Sequence, residues 1–112
     1  MTNMKLLATL FLAGGLMTAS FAYAAPDADA AQALLKKSNC TKCHSVDKKK
    51  DGPAYKEVAK KYKGKADAEA KLLTHITTGP MIEMDGVKEE HSKVKSSDAA
   101  EQKNLVQWIL SL

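Results

Sequence analysis

Three observations predict a small all-α domain. The chain beyond its first two dozen residues is rich in alanine, lysine and leucine, contains no arginine, and has few aromatic or β-branched residues, a composition that favours helices. Four separate stretches repeat apolar residues at three- and four-residue spacing. Glycine and proline fall at the ends of those stretches, where they punctuate helices.

The first residues, MTNMKLLATLFLAGGLMTASFAYA, carry Lys5, an apolar run from Leu6 to Met17 and the small-x-small triplet Ala22-Tyr23-Ala24. This is the layout of a secretory signal peptide cut after Ala24. The run falls short of the roughly 20 apolar residues that span a bilayer, and a polar, Asp-containing stretch follows it. The expected organisation is therefore a leader over 1–24 and one domain over 25–112, exported to the periplasm without a lasting membrane anchor. A domain of about 88 residues buries a modest core and commonly relies on a covalent or cofactor staple. Its formal charge is about +3 once Lys5 is removed with the leader, too mild for a nucleic-acid binder, and the arginine forks that read bases and phosphates are missing.

The first helix is predicted in DADAAQALLKKSN: Asp27 and Asp29 are possible N-caps, Ala30, Ala31, Leu34 and Leu35 form one stripe, and Asn39 ends it at the cysteines. After the polar loop SVDKKKDG and Gly52-Pro53, Tyr55, Val58, Ala59 and Tyr62 mark a short second helix that stops at Gly64. Asp67 is placed to cap a third, with Leu72, Leu73 and Ile76 inward and Gly79-Pro80 at its end. The segment MIEMDGVKEEHSKVKSS has no helical stripe. It reads as a long loop, of a length usually reserved for function, with Asp85-Gly86 offering a tight turn for a short hairpin. Asp98 and Glu101 make a capping-box-like start for the last helix, whose apolar side is Leu105, Val106, Trp108, Ile109, Leu110 and Leu112.

Both cysteines of the chain and one of its three histidines lie in residues 40–44, CTKCH. Two thiols separated by two residues share one turn and can each add across a vinyl group of one haem, with the following histidine beneath the iron. This assigns Cys40 and Cys43 as thioether sites, His44 as the proximal ligand, and one covalent haem c per chain. A thioredoxin-like CxxC disulfide would want a βαβ surround, and a zinc site would want better-spaced ligands elsewhere.

With CTKCH after a short helix, DGPAYKEVAKKYKGKADAEAKL downstream and the closing LVQWILSL, the chain resembles class I c-type cytochromes, in particular the small bacterial c-551/c-552 group. The resemblance implies that Pro53 packs beside the proximal histidine, that the first and last helices cross, and that Trp108 lies near a haem propionate. Ordinary core packing is the alternative for Trp108.

The resemblance also implies a methionine as second axial ligand, normally in a proline-rich setting before the last helix. That setting is missing here. Counting back from Trp108 by the family's spacing reaches His91 or its neighbour Ser92, so His91 is expected as the distal ligand, with Glu89 or Glu90 holding its other ring nitrogen. Met84 and Met81 are the competing ligands, and an open iron is the remaining possibility. His75 is read as an exposed helix residue.

The function that follows is one-electron transfer between larger redox partners, with no catalysis. Lys36, Lys37, Lys42, Lys48, Lys49 and Lys50 flank the cysteines and form a candidate basic rim for an acidic docking surface, tempered by Asp47 and Asp51. The alternative is a haem-based small-ligand binder or sensor with a displaceable sixth ligand. Peroxide reduction comes third, since it wants a distal acid-base group near an open iron and the chain has no arginine to pair with it.

Overall fold

The structure is a computed structural model that describes residues 14–15 and 24–112. The apolar run and most of the leader read from the sequence lie outside the described residues. Four helices appear in chain order, α1 (Ala28–Lys37), α2 (Tyr55–Tyr62), α3 (Ala68–Thr78) and α4 (Ala99–Leu110), with a hairpin of β1 (Met81–Met84) and β2 (Val87–Glu90) between α3 and α4. The predicted all-α class holds, and among the described residues the hairpin is its single local departure. Among the described residues no helix is long and apolar enough to cross a membrane.

Helix α4 is the hub, packing against α1, α2 and α3. Its inward residues Leu105, Val106, Trp108 and Ile109 are buried with Ala31, Leu34 and Leu35 of α1, Tyr55 of α2 and Leu72 of α3. Two predicted core positions differ. Ala30 is exposed, one step off the stripe, and Leu112 lies past the helix end, where it is also exposed.

The helix starts show how local sequence sets the packing. Asp27 caps α1 by accepting from the Ala30 N–H, while its own backbone is clamped by Asn104 of α4: N–H to Oδ1 at 2.8 Å, and Nδ2 to the Asp27 carbonyl at 2.9 Å. Asp98 caps α4 through the Ala100 and Glu101 N–H groups. The expected capping box is relayed: Glu101 accepts from the Ser96 hydroxyl, and Ser96 in turn accepts the Asp98 N–H. Asp67 makes no cap bond at the start of α3, because its carboxylate is engaged by Lys71 at 3.0 Å. That ion pair holds the Asp67 carboxyl below its usual range. Helix α2 has no side-chain cap either. The loop after the cysteines satisfies its first donors, Tyr55 N–H to the Ser45 carbonyl at 2.9 Å and Lys56 N–H to Val46 at 3.1 Å.

The hairpin forms where Asp85-Gly86 allows it. Both residues have positive φ, 49° and 81°, the conformation a two-residue type I′ turn requires, and Met84 pairs with Val87 across it.

Candidate functional site

CTKCH occupies a 3₁₀ turn over Cys40–Lys42 that follows α1. Asn39 turns the chain out of the helix in the left-handed conformation, φ 57°. The Cys43 and His44 N–H groups both return to the Cys40 carbonyl, at 3.2 and 3.0 Å, which sets the two half-buried thiols on one turn with the imidazole beside them. Burial raises the pKa of the Cys40 thiol above its ordinary value.

The chain returns to this turn through Gly52-Pro53. The Gly52 N–H donates to the Cys43 carbonyl at 2.8 Å, and the Pro53 carbonyl accepts from His44 Nδ1 at 2.7 Å. A carbonyl can only accept, so Nδ1 carries the proton and Nε2 keeps a free lone pair, the form a metal ligand needs. Pro53 thus contacts His44 through its carbonyl. Gly52 is fixed by contact: a Cβ there would fall 2.6 Å from His44 Cε1. Tyr55 stacks on the imidazole, ring centroids 4.9 Å apart and 21° between planes.

His44 faces a cavity of about 590 Å³ lined by residues of all four helices and both strands, among them Cys40, Cys43, Met84 and His91. This is within the range of cofactor pockets. The cavity lies directly against both thiols and is walled by the inward stripes of the helices, so it stands where the middle of the core would otherwise be.

His91 closes the far side. The sequence suggested a loose loop, yet the segment is tied down at three points: His91 N–H to the Pro80 carbonyl at 2.9 Å, Val94 N–H to Ile76 at 2.8 Å, and Lys95 N–H to the buried hydroxyl of Ser38 at 2.9 Å. The His44 and His91 ring centroids are 6.1 Å apart with planes inclined at 52°. A metal held between two imidazoles through bonds of about 2 Å separates their centroids by about 6 Å. The observed separation matches that spacing, and among the described residues His91 Nδ1 is buried without a hydrogen-bond partner. Burial, with His75 and His44 nearby, lowers the His91 pKa.

The other predicted residues are distributed as follows. Met84 borders the cavity from β1, whereas Met81 is 65% exposed and lies outside its wall. Trp108 is buried behind Tyr55, meeting it edge-on at 6.3 Å, and borders a smaller cavity beside Lys36, Thr41 and Lys50 rather than the large one. Its visible contacts are those of core packing. Neither Glu89 nor Glu90 reaches His91 Nδ1; both are exposed, and Glu90 pairs with Lys93 at 3.5 Å. His75 is the residue the sequence misjudged. It is half-buried, borders the cavity, and sets its ring 4.3 Å from that of His91 at 65°. Its i+3 relation to Leu72 on α3, beside Ile76, was the available signal.

Gly79 holds the distal segment in position. It ends α3 with φ 61°, and a Cβ would meet the His91 carbonyl at 2.7 Å. Gly79→Ala is expected to cost about 1–3 kcal/mol through the left-handed strain and the displaced His91 backbone, read as a lower midpoint in denaturant unfolding together with a disturbed haem spectrum.

Cytochrome c sequences as a family match residues 28–112. A solved structure, the class 1 cytochrome MtoD from Sideroxydans lithotrophicus ES-1, shares 55% identity and a TM-score of 0.75 over 78% of this chain and 97% of that one. Cytochrome c-551 of Allochromatium vinosum is 42% identical over 79% of this chain and 92% of its own length, and cytochrome c-552 of Nitrosomonas europaea is 41% identical over 91% of each. With the paired thiols on one turn, the cavity beside them and these likenesses, the chain belongs to the cytochrome c family as a small class I member that carries haem c covalently on Cys40 and Cys43.

Proposed function

We propose that this cytochrome is a periplasmic one-electron carrier whose haem is ligated by His44 and His91. The observation that carries the reading is the 6.1 Å separation of the two imidazoles across the cavity. Bound there, the haem supplies a one-electron iron couple.

The chain's own residues make that couple suited to transfer. Pro53 fixes the tautomer of His44, Tyr55 and Gly52 fix its ring, and the bonds around Pro80, Ile76 and Ser38 fix His91. Ligands held this firmly in both oxidation states keep reorganisation small. Met84 borders the cavity from β1, where it pairs with Val87, and is the reserve ligand in this reading. Two imidazoles also imply a lower reduction potential than a histidine and a methionine would give.

Docking is assigned to the lysines around the cysteine turn. Lys36, Lys37, Lys42, Lys48, Lys49 and Lys50 are exposed, and Lys50 is drawn over the turn by a 2.7 Å bond from Nζ to the Thr41 carbonyl. Such a rim would steer an acidic partner surface towards the thioether edge of the haem. Export is assigned to the first 24 residues, which gives a mature chain beginning at Ala25.

Voltammetry of the mature holoprotein tests the carrier role. A reversible one-electron wave, stable on repeated cycling and unmoved by carbon monoxide, is expected. A wave that shifts under carbon monoxide would favour a ligand-binding sensor, and turnover with added peroxide would favour an enzyme.

A further inference from the structure

The distal side contains a histidine that the carrier reading leaves unused. His75, on α3, sets its ring 4.3 Å from that of His91 with the planes at 65°, and both rings border the cavity. Among the described residues His91 Nδ1 is buried and makes no hydrogen bond, while the Ser92 backbone lies near enough to the ring to oppose the lowering of its pKa. A histidine that gives Nε2 to a metal carries its proton on Nδ1, and ligating histidines nearly always hand that proton to an acceptor. The carboxylates nearest in sequence do not serve, since Glu89 and Glu90 are exposed and Glu90 is paired with Lys93.

An N–H···N bond of about 2.9 Å between two imidazoles places their centroids about 5 Å apart in line, and closer when the rings are inclined. The observed separation is inside that limit. The rings meet edge-on in this structure, so the bond requires a change in the terminal torsion of His75, a torsion that is broad for imidazoles. We propose that His75 is the positioning partner of the distal ligand, its neutral imidazole accepting the Nδ1–H of His91.

This inference rests on His91 being the distal ligand. Its consequence is chemical: a carboxylate acceptor would draw the ligand towards imidazolate, whereas a neutral nitrogen polarises it less. The site then orients His91 without the full drop in potential that a carboxylate partner would bring.

The test compares His75→Phe, which keeps an aromatic ring against His91 but has no acceptor, with His75→Gln, which restores one. In ¹⁵N-histidine-labelled ferrous holoprotein, exchange of the His91 Nδ1 proton with solvent is expected to quicken about tenfold in the Phe variant, with a rise in reduction potential. Both changes should return towards wild type in the Gln variant. Should the Phe variant fail to accumulate, His75→Leu gives the same comparison. Wild-type exchange and potential in the acceptor-less variant, in a protein whose low-spin spectrum still depends on His91, would overturn the role of His75 alone. A spectrum indifferent to His91→Ala would instead remove the ligation on which it depends.

Discussion

His91→Ala is expected to convert the ferric protein from low-spin to predominantly high-spin and to open the reduced protein to carbon monoxide. The reason is positional. His91 is the imidazole opposite His44 at the separation an iron requires, and the backbone bond to Pro80 together with the close packing of Gly79 holds it there. Because the side chain is half-buried and outside the α4-centred core, its truncation should leave the helical circular dichroism intact. Met84→Ala should leave the ferric spectrum unchanged. His91→Met should retain a low-spin iron and raise the reduction potential by on the order of 0.1 V, since axial-ligand identity is a principal control over haem potential. An unaltered spectrum in His91→Ala would move the sixth ligand to Met84, which already borders the cavity.

Removing both cysteines is expected to have the largest effect on the fold. The haem cavity of about 590 Å³ is walled by residues of every helix, including Leu35, Tyr62, Leu72 and Leu105. Without the covalent haem these apolar walls would face water across that volume, which removes the burial that holds the helices together. Cys40→Ala/Cys43→Ala protein should therefore lack covalent haem, lose cooperative unfolding and be degraded in cells, whereas a single replacement should retain haem through one thioether. Intact mass spectrometry checks this directly: wild type is expected as a chain beginning at Ala25 with one haem added, and the double variant without it. A haem retained through acidified organic extraction in the double variant would contradict the attachment.

The parts of the site legible in sequence were those set by contiguous residues. CTKCH places two thiols and an imidazole on one turn whatever surrounds them, and Gly52-Pro53 returns to that turn over a short loop. Helix positions were legible because their stripes face one partner, α4, so periodicity and burial coincide. The failures lie where a long-range choice competes with a local one. Asp67 resembled a cap, but Lys71 one turn later supplies a stronger partner for its carboxylate. Glu89 and Glu90 resembled partners for His91 because they are adjacent in sequence, yet pairing with β1 leaves them exposed. His75 looked like one more exposed residue of a polar helix. Its meeting with His91 depends on how the hairpin folds back on α3, which periodicity within a single helix does not encode.

The same logic explains the loop between α3 and α4. No apolar stripe signals its order, which comes from individual hydrogen bonds to Pro80, Ile76 and Ser38, partners up to 57 residues away, and from Val94 packed against the core. The buried hydroxyl of Ser38 illustrates the point, since a serine at a helix end is ordinary until Lys95 is found donating to it.

The ferric ultraviolet-visible spectrum of the mature holoprotein, followed by reduction under carbon monoxide, tests the His44/His91 assignment most directly. A low-spin spectrum without the weak red methionine-to-iron band, and a reduced spectrum that carbon monoxide leaves unchanged, is the predicted result. Appearance of the methionine band, or a ready shift under carbon monoxide, would contradict it.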